Sequence, residues 1–129
     1  MNPEDSISQS RQECEAWKRT LDFLLQENSI LKIRLAEKIH RLEAGHVFVD
    51  QAEQLYQTLI RNDEMIYFLR GDVSRMQQLL NGGDAGMTRK TDRPALHVNQ
   101  HALRREMKEI GRNFNEVQFQ FNSLFGNLS

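Results

Sequence analysis

The chain has 129 residues, a formal net charge of −1, 39% hydrophobic and 27% charged residues, which is too apolar for wholesale disorder and offers no global field to recruit nucleic acid or an anionic membrane. A single cysteine, Cys14, excludes an internal disulfide framework and any multi-cysteine zinc site within one chain. No apolar run approaches the ~18 residues that span a bilayer, and MNPEDSIS lacks the cationic start and apolar core of a secretion signal, so the expected setting is cytoplasmic, with no membrane role.

The first predicted helix covers residues 3 to 44. Asn2 before Pro3 suits an N-cap with proline at the first helical position, and Gly45 can take the left-handed conformation that closes a helix. Within it, Leu21, Asn28, Leu35 and Leu42 occupy heptad position a, while Leu24, Leu31 and Lys38 occupy d. The frame extends backwards to Trp17, Cys14 and Ile7. At ~1.5 Å per residue such a helix is roughly 60 Å long, too long for a compact small domain. Phe23, Leu25, Ile30, Ile33 and Ile39 lie outside the seam and widen the apolar surface.

The second predicted helix runs from 47 to 80, with a capping box at Asp50 and Glu53 as an alternative start. Phe48, Ala52, Leu55, Leu59, Asn62, Ile66, Leu69, Val73, Met76 and Leu80 follow one another at four- and three-residue steps without a break. The short connection at Gly45 makes the two helices an antiparallel hairpin covering residues 1 to 80.

Residues 81 to 96 combine three glycines with Pro94 and mixed charges, the composition of a flexible linker. Lys90 and Thr91 follow glycines as in a phosphate-binding loop, but Arg89 occupies the position that must be glycine and no strand precedes it. Nucleotide binding is therefore not expected there.

The third predicted helix occupies 97 to 129, capped by Asn99, with the repeat Leu103, Met107, Ile110, Phe114, Val117, Phe121 and Leu124. Its first half is basic. Its second half is rich in amides, with Glu116 as its charged residue and Phe119 and Phe125 off the seam. Val117, Phe119 and Phe121 also alternate as a strand would, yet the heptad accounts for more positions.

Chemistry-bearing patterns are sparse. Glu37 with His40 and Glu43 with His46 have the Glu-x-x-His spacing of di-metal bundles, but the first pair faces away from the seam and the second straddles Gly45. No metal and no other cofactor is expected. Cys14, flanked by Glu13 and Glu15, lacks the cationic neighbour that activates a thiol. No basic region precedes the leucines as in a DNA-binding zipper. His101-Ala-Leu-Arg-Arg resembles the phosphoacceptor helix of histidine phosphotransfer proteins, although Arg105 stands where those proteins place glycine. That resemblance implies an exposed phosphorylatable histidine.

The sequence thus predicts an all-α fold, an elongated antiparallel helical hairpin plus a third helix in a coiled-coil-like bundle. The expected function is non-enzymatic: a scaffold that self-assembles as a homodimer or higher oligomer and presents helical surface to a protein partner. Its association seam comprises Leu21, Leu24, Asn28, Leu31, Leu35, Leu55, Leu59, Asn62, Ile66, Leu69, Phe114 and Phe121. Phosphotransfer through His101 and a nucleic-acid accessory role for the basic start of the third helix are the alternatives.

Overall fold

The computed structural model describes residues 3–43, 45–81 and 92–126, with side chains described from residue 7 in the first stretch and from residue 99 in the last. Three helices pack against one another as an all-α bundle: α1 (Pro3–Arg41), α2 (Val47–Asn81) and α3 (Asp92–Phe125). There is no strand among the described residues, so Val117 to Phe121 are helical.

Helix α1 begins at Pro3, whose missing N–H costs nothing in a first turn where amides have no intrahelical acceptor. It stops at Arg41, three residues before the expected end. Leu42 N–H is shared between the Lys38 and Ile39 carbonyls at 3.1 Å, and Gly45 has a φ of 86°, the left-handed geometry anticipated for it. Lys38, His40 and Arg41 in the last turn complement the helix dipole.

Helix α2 starts at Val47, ahead of the Asp50 and Glu53 pair. The cap is His46: its Nδ1 accepts from Phe48 N–H at 3.1 Å, and its ring packs on Phe48 at 5.2 Å between centroids. A histidine nitrogen thus replaces the usual cap oxygen.

Helix α3 starts at Asp92, so residues 92–96 of the expected linker are helical and Asn99 lies inside the helix instead of capping it. Pro94 is tolerated there because it falls in the first turn. Asn81 of the expected linker is the last residue of α2, and residues 82–91 lie outside the described residues.

The packing divides into two compact units, each built from a segment of all three helices: Met1–Asp22 with Tyr67–Glu109, and Phe23–Ile66 with Ile110–Ser129. In the first unit Cys14, Leu21, Leu69, Val73, Met76, Leu80, Leu103 and Met107 are buried. Polar contacts fix the antiparallel register of α1 and α2 there. Arg11 Nη2 donates to Leu80 O at 2.7 Å, Gln77 Nε2 donates to Glu15 Oε1 at 2.8 Å, and Arg70 pairs with Asp22 at 3.2 Å. The Arg11 bond also satisfies a carbonyl in the last turn of α2, where no intrahelical donor remains.

In the second unit Leu24, Leu31, Leu35, Ala52, Leu55, Leu59, Ile66, Ile110, Phe114, Val117, Phe121 and Phe125 form the core. Phe125 packs on Phe121 with centroids 5.3 Å apart and is 3% exposed, whereas Leu124 is only half-buried. The seam of α3 therefore ends on Phe125 and not on Leu124. Each large side chain so buried contributes about 1.5–3 kcal/mol.

Candidate interaction surfaces

All twelve seam residues named from the sequence are buried inside the single chain, so the seam is occupied by the packing of its own helices. Two of the twelve are polar. Asn28 is 0% exposed and Asn62 5%. Asn28 Nδ2 donates to Asp63 Oδ1 at 3.2 Å, and Asp63 Oδ2 is also paired with Lys32 Nζ. The periodicity located both asparagines, but Asp63 and Lys32 escaped it because both sit beside the seam and read as surface charges.

Asn28 Oδ1 and Asn62 Nδ2 are buried without a hydrogen-bond partner, an acceptor on α1 and a donor on α2. An unsatisfied buried polar group costs about 1–3 kcal/mol. The second unit thus gives up stability at these positions, while any slip of α1 against α2 would also strip Asp63 of its amide partner.

In the first unit a second cluster joins α3 to α1. Glu13 accepts from Gln100 Nε2 at 2.7 Å and from Arg104 Nε at 2.9 and 3.0 Å. One of the basic residues at the start of α3 is thereby engaged within the chain.

Outside the core, Phe23, Ile33, Tyr67, Phe68 and Phe119 are more than half exposed. Three of them, Phe23, Ile33 and Phe119, belong to the off-seam apolar set that the repeats left over. Among the described residues of the second unit, grooves open between the helices. One, of about 800 Å³, lies between α1 and α2 and is lined by Ala36, Ile39, His40, Asp50, Glu53 and Tyr56 among others. Another, of about 520 Å³, lies between α2 and α3. Its walls are Phe48, Gln51, Gln54, Leu55 and Thr58 on α2, and Phe119, Gln120, Ser123 and Leu124 on α3. The first unit has a groove of about 400 Å³ flanked by Asp72, Arg75, Leu79, Asn99 and Glu106.

Titratable groups are dispersed. Cys14 is fully buried, and its thiol is pushed up to about 11, first by burial and then by the carboxylates of Glu13 and Glu15. A thiol held protonated is a poor nucleophile and a poor metal ligand. Glu37, His40 and Glu43 are exposed, while His46 is committed to the α2 cap. Among the described residues no group of three or more His, Cys, Asp or Glu is placed to hold a metal ion. His101 is exposed in the interior of α3 and makes an interaction of its own. Lys90 and Thr91 lie outside the described residues. No described helix is long and apolar enough to cross a membrane.

Comparison with family models, with curated protein sequences and with solved structures returns no match. Fold and surface together define the class: an all-α three-helix bundle with exposed aromatic side chains and shallow interhelical grooves.

Proposed function

We propose that this chain is a non-enzymatic association module, a small helical scaffold that self-assembles and presents its outer helix faces to a protein partner. The supporting observation is the division of its apolar residues. The seam is consumed within the chain, yet Phe23, Ile33, Tyr67, Phe68 and Phe119 remain more than half exposed, with Phe68 at 74%. Large apolar side chains left in water gain free energy when a partner covers them, which supports association through these faces. Association on this reading runs through the outer faces and not through the leucine seam, a change from what the repeats alone imply.

Sedimentation equilibrium at tens of micromolar tests the self-assembly. A mass of at least twice 15.1 kDa supports it, and a single species of 15.1 kDa contradicts it.

A further inference from the structure

The groove between α2 and α3 in the second unit differs in chemistry from the other two. The α1/α2 groove carries Asp50 and Glu53, and the groove of the first unit carries Asp72, Arg75 and Glu106. Among the described residues no charged side chain lines the α2/α3 groove: its polar members are the amides of Gln51, Gln54 and Gln120 and the hydroxyls of Thr58 and Ser123. The sequence accounts for this. Val117 to Ser129 is the longest stretch of the chain without Asp, Glu, Lys or Arg, and Gln54 to Ile60 supplies an uncharged wall opposite.

Among the described residues, charged groups of both signs are hydrogen-bonded to side chains of the groove. Glu116 accepts from Gln120 Nε2 at 3.1 Å, and Arg61 Nη2 donates to Thr58 Oγ1 at 3.2 Å. They produce no single-sign field.

This neutrality restricts the occupant. A charged segment entering the groove would lose hydration without meeting a counter-charge, which is costly even when partly offset. Self-association imposes a related demand, because in a two-fold contact each side chain near the axis meets its own copy. A surface of one charge repels itself there. Amides, which both donate and accept, and aromatic rings pair with their own kind. The uncharged end of α3 satisfies that condition, and Phe119, 68% exposed at the rim of the groove, supplies a large apolar anchor.

We infer that the α2/α3 groove of the second unit is the two-fold interface with a second copy of this chain, Phe119 of each copy packing against the partner's groove. The inference rests on the self-assembly reading above and names its surface. The other possible occupant, an uncharged helix of a different protein, is separated from it by the test.

Sedimentation equilibrium is run on the full chain, on Phe119→Asp and Ser123→Lys, and on Phe68→Asp as a control at an exposed aromatic of the first unit. Circular dichroism checks that each variant is folded. The expected result is a dimer for the wild type and for Phe68→Asp, with at least a tenfold weaker dimer for Phe119→Asp and Ser123→Lys. Should Phe119→Asp fail to fold, Ser123→Lys decides alone. A wild-type monomer overturns the self-assembly reading and this inference with it, leaving the groove to a different protein. A dimer that both groove variants preserve overturns the inference alone.

Discussion

Asn28 Nδ2 donates to Asp63 Oδ1 at 3.2 Å, and this bond ties a buried polar position in the seam of α1 to a carboxylate beside the seam of α2. Hydrogen bonds to charged groups are worth about 1.5–3 kcal/mol, so a double-mutant cycle of Asn28→Ala and Asp63→Ala should give a coupling of about 1–2 kcal/mol in urea unfolding. Additivity within a few tenths would show that the two residues are neighbours without being energetically joined.

The two asparagines should respond differently to leucine. Asn62→Leu removes a buried donor with no partner and adds apolar contact, and it is expected to stabilise the fold by about 1 kcal/mol. Asn28→Leu removes an unsatisfied Oδ1 as well, but forfeits the bond to Asp63, so it should gain less or lose. Paired thermal melts rank them, and an Asn28→Leu variant more stable than Asn62→Leu would contradict the assignment.

That contrast marks where the sequence stops being informative. Repeats place a residue on a helix face, so the three helices and the seam position of both asparagines were legible from spacing. The partner of Asn28 was not, because it depends on the register of α1 against α2, and Asp63 looks like any exposed carboxylate. The start of α3 was placed late for a different reason. Pro94 reads as a breaker in sequence, but in the first turn it interrupts no hydrogen bond. His46 was missed because a histidine cap has no strong compositional signature. The grooves were illegible for a third reason: each is assembled from two helices, and only the packed structure brings their walls together.

Burial of Cys14 links stability to alkaline pH. Its folded value, about 11, lies above the ordinary value of 9.0, so the native state favours the protonated thiol. That contribution is fully present below pH 9 and is lost as pH rises towards 11, a fall of at most about 2–3 kcal/mol. Unfolding free energies of wild type and Cys14→Ala should converge over this window. Parallel curves, or rapid reaction of the native thiol with a disulfide reagent at pH 8, would show that Cys14 is neither buried nor suppressed.

Gly111 lies within α3, and a Cβ added there meets nothing within 4 Å. Replacing a helical glycine by alanine in open space restricts the unfolded chain at no steric cost, so Gly111→Ala should stabilise by about 0.5–1 kcal/mol. A loss on chemical unfolding would reveal a close approach at that face.

Closure of the leucine seam within one chain is tested most directly by helix content on dilution. Circular dichroism at 222 nm is followed from tens of micromolar to well below one micromolar, across the range in which the proposed assembly would dissociate. A bundle whose core residues Leu21, Leu35, Leu59 and Ile66 are buried by its own helices should keep its molar signal unchanged over the whole range. Loss of the helical signal in step with dissociation would contradict this, and would place the seam between chains.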